Sequence, residues 1–137
     1  MSEPRRVLLV GATGLIGRTI IERSPELDGI ALQGLARREI PFPPGVRMEL
    51  VLAESEEWPG IITQLEPDAV ISALGTTHKK AGSKSGFRRV DHDLVLAVAR
   101  AAKAAGVRNF VQVSSVGADP FSRNSYLRVK GETEKDL

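Results

Sequence analysis

At 137 residues the chain is one domain by length, and a chain of this size buries roughly two-thirds of the surface it exposes when unfolded, so a core without staples is feasible. With 42% hydrophobic and 26% charged residues and a net charge of only +2, its composition is that of an ordinary soluble globular protein. The absence of cysteine excludes disulfides, thiolate metal sites and cysteine nucleophiles, and fits a cytoplasmic location.

The elements follow in order. Val7–Val10 (VLLV) is a continuous apolar run that predicts a buried strand, closed by a glycine turn. Leu15–Arg23 places Leu15, Ile16, Ile20 and Ile21 on a helical face. Ile30–Leu35 predicts the second strand, followed by a proline-rich loop, and Val46–Leu52 the third. Trp58–Leu65 reads as a weak helix, because Pro59 and Gly60 disfavour its start. Ala69–Leu74 is a fourth strand, apolar on both faces. A long loop, Gly75–Arg89, leads into the alanine-rich helix VDHDLVLAVARAAKAAG, which Gly106 stops. Asp91 and Asp93 beside His92 read as the acidic start of that helix. Phe110–Val113 is the fifth strand and ends at Ser114 and Ser115; Asn124 opens a last helix. Apolar strands alternating with helices predict a doubly wound parallel α/β sheet of about five strands, with helices on both faces. No stretch has the length and apolarity of a membrane-spanning helix or a signal peptide.

The first turn reads GATGLIG, with Gly11, Gly14 and Gly17 spaced by three between a strand and a helix. In that context the first glycine suits a tight turn, the second a close approach of backbone to pyrophosphate, and the third helix–sheet packing. The helix N-terminus adds unpaired N–H groups and the positive end of its dipole. A glycine turn without a ligand is the plain alternative. Arg37 and Arg38 follow the second strand, where an acidic residue would favour a free ribose 2′-hydroxyl; planar guanidinium groups suit a 2′-phosphate instead. Arg18 extends this basic patch. The pattern points to NADP(H) ahead of NAD(H), against the simpler reading of solvated arginines with Glu39 beside them.

Tyr126, the only tyrosine, precedes Lys130 by one helical turn. An unassisted phenol titrates near pH 10, and a nearby ammonium favours the phenolate form. Ser114 and Ser115 stand at the carboxyl end of a strand, the edge where open α/β sheets bind ligands. Together these residues suit hydride transfer to or from a carbonyl or alcohol carbon, with Tyr126 passing the proton. Neither His78 nor His92 has metal-ligand spacing, so no metal site is expected. The basic run His78–Arg89 has a single aromatic residue, Phe87, and is poor material for nucleic-acid binding.

GATGLIG, the strand-end ARR, ALGTTHKKAG, FRRVDHDLVLAVARAAKAAGV, FVQVSSVGAD and YLRVKGETE together resemble the atypical short-chain dehydrogenase/reductases over Arg6–Lys135. The nearest branch is the Tat-interacting-protein-like NADP-binding oxidoreductases, related to NmrA and to NAD-dependent epimerases. The resemblance implies a Rossmann fold over residues 1–137. It implies pyrophosphate binding by Gly11, Gly14 and Gly17 with Thr13, Leu15 and Ile16 beside them, and ribose-phosphate recognition by Arg37 and Arg38. It places cofactor contacts at Ala73, Leu74, Gly75 and Thr76, and a catalytic set of Ser114 or Ser115, Tyr126 and Lys130. A small carbonyl substrate and a homodimer paired through helices near Asp91 and Asn124 also follow from it. Two departures stand out. LAESEE lacks the aspartate often found near the adenine, leaving Glu54 or Ser55 as substitutes. Family members also continue for many tens of residues past the lysine, so the resemblance implies a partial member without the substrate-binding part. A non-catalytic NADP(H)-binding regulatory module is the main alternative; an anion- or nucleic-acid-binding domain using the basic run is a weaker one.

Overall fold

The computed structural model describes residues 3–76 and 78–137; Thr77 of the GTT stretch, and the side chains of His78 and Lys79 in the basic run, lie outside the described part. Five strands, β1 (Arg5–Val10), β2 (Ile30–Ala36), β3 (Glu49–Leu52), β4 (Ala69–Ser72) and β5 (Asn109–Gln112), form one parallel sheet in the order β3-β2-β1-β4-β5. The chain winds outward from β1 to β3, then returns to the other side of β1 for β4 and β5. That reversal opens a crevice beyond the carboxyl ends of β1 and β4, the place where such sheets bind ligands.

The central strand explains the core. Leu8, Leu9 and Val10 are wholly buried because β1 has a neighbour on each edge and helices on each face. Each such side chain contributes about 1.5–3 kcal/mol by leaving water. Leu8 and Val10 pack with Leu35, Val70, Trp58, Ile62, Val95 and Val98, under α2 (Trp58–Leu65) and α5 (Val95–Ala104). Val7 and Leu9 point the other way, against Leu32 and Ile21 of α1 (Leu15–Arg23). The doubly wound sheet with helices on both faces is therefore present.

Four local expectations change. β3 begins at Glu49 rather than Val46, since Val46 and Met48 turn into the α1-side core. Met48 lies over Gly34, where a Cβ would sit 2.8 Å from its methyl carbon. Helix α2 is well formed, because Pro59 falls in the first turn, where no intrahelical N–H is required; a 3₁₀ turn (Ser55–Glu57) leads into it. Trp58 is core, and its indole N–H donates to the Ala53 carbonyl at 2.9 Å.

The expected loop Gly75–Arg89 contains α3 (His78–Ala81) and α4 (Lys84–Arg88). Ser83 caps α4 by accepting from the Gly86 N–H at 3.0 Å, and wholly buried Phe87 anchors it. A π-helical turn, Arg89–Leu94, then runs without a break into α5, so Asp91 is no helix start but lies inside a continuous helical stretch. Gly106, at φ +81°, ends α5, and the Val107 N–H returns to the Ala102 carbonyl at 2.9 Å. The last helix, α6 (Ser125–Asp136), is capped by Asn124, whose side chain accepts from the N–H groups of Tyr126 and Leu127.

Candidate functional site

The glycine turn is shaped by contacts that only glycine permits. Gly11 has φ +86°, and a Cβ there would lie 2.6 Å from the backbone of Ala73 and Leu74, so the turn after β1 lies directly against the end of β4. A Cβ on Gly17 would fall 2.3 Å from the Gly11 carbonyl oxygen, which is how closely α1 crosses the turn. Gly14 differs from both: its nearest neighbour would be 4.0 Å away, and it is exposed. It is the N-cap of α1, whose carbonyl receives the Arg18 N–H at 2.9 Å, and the amides that follow it have no intrahelical acceptor. Thr13, Leu15 and Ile16 are exposed around this opening, Leu15 at 76%. The result is an uncovered bed of backbone donors with room for an anion.

Arg37 and Arg38 emerge exposed from the carboxyl end of β2, on the same edge of the sheet. Glu54 and Ser55 follow β3. Glu54 is engaged in a reciprocal capping box with Glu57: its side chain accepts the Glu57 N–H, and its own N–H donates to Glu57 Oε2 at 3.2 Å.

At the end of β5 the two serines part. The Ser114 hydroxyl is buried without a hydrogen-bond partner, and Ser114 lines a groove of about 450 Å³ walled by α5, β5 and α6. Ser115 donates to the Val116 carbonyl at 3.2 Å. Among the described residues, neither serine is hydrogen-bonded to the Tyr126 phenol.

Tyr126 and Lys130 are brought together on one face of α6, the Lys130 Nζ 5.7 Å from the centre of the Tyr126 ring. Tyr126 is half-buried and packs on Phe87, ring centres 5.4 Å apart. Lys130 is buried, and its ammonium pairs with Asp91 Oδ1 at 2.5 Å; the side chains are 8% and 0% exposed. The second carboxylate oxygen accepts the Thr76 N–H at 2.9 Å. A Cβ on Gly75 would lie 3.3 Å from Lys130 Nζ, so the end of β4 gives way to the lysine.

Asp91 is thus the site residue that reading along the chain missed. The signal available was spacing: Phe87 and Asp91 are one helical turn apart, as are the Tyr126 and Lys130 they contact. The remaining contacts continue the same alignment. Arg88 pairs with Glu132, the Thr133 hydroxyl donates to the Asp91 carbonyl at 2.9 Å, and His92 Nε2 meets Asp136 Oδ2 at 2.8 Å. That hydrogen bond from His92 holds the Asp136 carboxyl below its ordinary value near 3.8.

Comparison with known proteins agrees with this architecture. The chain is 38% identical over 133 residues to protein FMP52, mitochondrial, of Saccharomyces cerevisiae, a match that covers 95% of this chain and 58% of that protein. The chain therefore spans somewhat over half the length of the curated relatives it matches. Its fold is shared with the ADP-L-glycero-D-manno-heptose-6-epimerase of Helicobacter pylori (TM-score 0.79, 14% identity, 98% of this chain and 50% of that one). It is shared too with the Bordetella bronchiseptica enzyme WbmG, solved in complex with NAD (TM-score 0.72, 16% identity, 96% and 49%). The cytoplasmic expectation is overturned: the curated relatives are named as mitochondrial proteins, a distinction that the absence of cysteine could not make. No helix among the described residues is long and apolar enough to cross a membrane. Residues 7–128 match the NAD dependent epimerase/dehydratase family, and the chain belongs to that family.

Proposed function

We propose that the chain binds a nicotinamide dinucleotide across the carboxyl edge of its sheet and carries the proton-transfer residues of an oxidoreductase. The observation that carries this reading is the contrast within the glycine turn: Gly11 and Gly17 are closed by backbone, whereas Gly14 faces open space at a helix N-terminus. A pyrophosphate fits that bed both sterically and electrostatically. Arg37 and Arg38, exposed at the end of β2, support a preference for the 2′-phosphate of NADP(H). Thr13, Leu15 and Ile16 would flank the phosphates, and Ala73, Leu74, Gly75 and Thr76 the remainder of the dinucleotide.

A bound nicotinamide would supply or take up a hydride at the carbon of a carbonyl or alcohol. The chain's own residues would handle the proton and the orientation. Tyr126 gives a proton to the developing alkoxide oxygen, or removes one from an alcohol. The Lys130 ammonium, 5.7 Å from the Tyr126 ring, stabilises negative charge on the phenol oxygen. Ser114 or Ser115 orients the carbonyl, and the unpartnered hydroxyl of Ser114 is the freer of the two to donate. A small carbonyl compound as substrate and the mitochondrial setting of the relatives belong to the same reading.

A second reading, a dinucleotide-dependent regulatory module, is supported by the exposed glycine turn and the exposed Arg37 and Arg38, since binding needs only these. Calorimetric titration with NADPH and NADH, on the native chain and on Arg37→Ala, tests binding. The expected result is NADPH binding that the substitution weakens, with NADH the poorer ligand throughout. Absence of binding by either dinucleotide would refute the proposal. Turnover across a panel of aldehydes and ketones, lost in Tyr126→Phe, separates the enzyme from the module.

A further inference from the structure

The far end of α6 is tied down by one ring. His92, in the π-helical turn Arg89–Leu94, has a side chain only 10% exposed, and both of its nitrogens face carboxylates. Nδ1 lies 2.7 Å from Asp93 Oδ1, and Nε2 lies 2.8 Å from Asp136 Oδ2 in the last turn of α6. A neutral imidazole has a single N–H, so one of its nitrogens would aim a lone pair at a carboxylate; the imidazolium donates to both. Its position adds to this. Asp136 ends α6, where the helix dipole disfavours an anion and favours a cation, so a charged ring beside it relieves the conflict. Glu134, in the same turn, and Leu137, just after it, wall the groove of about 450 Å³ opposite α5.

From this geometry we infer that His92 is a protonation-dependent clasp: as the imidazolium it fastens the last turn of α6 to the π-helical turn, and on losing a proton it lets that turn open and the groove wall loosen. The clasp needs no dinucleotide, so it stands or falls apart from the function proposed above. The other charges around it are Arg88 and Lys135, which act on Asp136, Glu132, which pairs with Arg88, and Asp91, whose carboxylate is turned to Lys130. Carboxylates, lysine and arginine ordinarily keep their charge between about pH 5.5 and 8.5, whereas imidazole changes its own there. The Asp136 carboxyl, held below its ordinary value near 3.8 by the His92 bond, stays ionised throughout that range. The clasp is therefore shut toward pH 5.5 and released toward pH 8.5.

The test is amide hydrogen exchange, read residue by residue by NMR between about pH 5.5 and 8.5 and corrected for the base catalysis of exchange itself. The native chain is compared with His92→Gln, which cannot be charged, and His92→Arg, which always is. In the native chain, protection at residues 133–137 is expected to fall about tenfold from the acid to the alkaline end, as befits the loss of a charge-assisted hydrogen bond. Residues 98–102, inside α5, serve as the reference and should stay level. His92→Gln should show the low protection at both ends, and His92→Arg the high protection at both. Level protection at 133–137 in the native chain overturns the inference. So does a native-like fall in His92→Gln, which would assign the effect to another group such as His78, or a native-like fall in His92→Arg. Should either variant not fold, the native profile still decides, because a fall confined to 133–137 is required of the clasp.

Discussion

Alanine substitution at the three glycines of the turn should separate fold from ligand binding. At Gly11 the added Cβ would meet the backbone of Ala73 and Leu74 at 2.6 Å, and φ is +86°. The positive φ costs an L-residue about 1–2 kcal/mol. Overpacking against backbone that cannot rotate away adds about 1–3 kcal/mol, giving about 2–5 kcal/mol in all. For 137 residues the unfolding entropy is about 0.29 kcal/mol/K, so Gly11→Ala should lower Tm by about 7–17 °C. Gly17→Ala falls between, because a clash of 2.3 Å with the Gly11 carbonyl is offset by about 1 kcal/mol of helix propensity. Gly14→Ala should behave differently: its φ of −78° suits alanine and its nearest neighbour is 4.0 Å away. Stability should change by no more than about 1 kcal/mol, or about 3 °C. Dinucleotide affinity should nonetheless drop at least about tenfold, because the methyl group fills the space a pyrophosphate would approach. Thermal melts and calorimetry on the three variants provide the comparison. A Gly14→Ala protein that melts as low as Gly11→Ala would show that the bed is not open. One that is stable and binds the dinucleotide normally would show that no phosphate lies over Gly14.

Other substitutions probe the frame around the site. Trp58→Phe leaves the Ala53 carbonyl without its indole donor and should cost about 1–3 kcal/mol, read as a lower urea midpoint at constant m-value. Ser83→Ala removes the cap of α4 and should cost about 1 kcal/mol, with hydrogen exchange rising first around residues 84–88. Asp136 makes a pH-dependent contribution. The His92 hydrogen bond lowers its carboxyl pKa in the folded state, so the stabilisation is present above the ordinary value near 3.8 and is lost as pH falls through the lower folded value. In acid-unfolding series the native chain should therefore exceed Asp136→Asn in stability at pH 6, and the two should converge at the acid end. A gap that widens on acidification would contradict the sign.

Much of the fold was legible because its signals are local. VLLV and AVIS are apolar on both faces and belong in the middle of a parallel sheet, which is legible without knowing which strands pair. The turn GATGLIG carries its own geometry, and Gly106 and Asn124 mark helix ends by their chemistry. Positions of the candidate site residues along the strand ends followed from the same alternation of elements, and Tyr126 and Lys130 share a helix face by spacing alone. Local reading failed where distant contacts outweighed propensity. HKKAGSKSGFRR has the composition of a solvated loop, yet the burial of Phe87 and the Ser83 cap make part of it helical. Val46 and Met48 have strand character, but the core on the α1 side draws them out of β3.

What the sequence determined by itself was the order of elements, the glycine turn and the tyrosine–lysine spacing, since each depends on residues within a few positions of one another. Only the tertiary structure could decide that the two serines differ, with Ser114 facing a groove and Ser115 bonded to its own loop. Only the structure could move Asp91 from a helix start to the partner of Lys130. No short window contains both residues, and it is the shared burial of opposite charges, created when α6 docks on the π-helical turn, that requires them to meet.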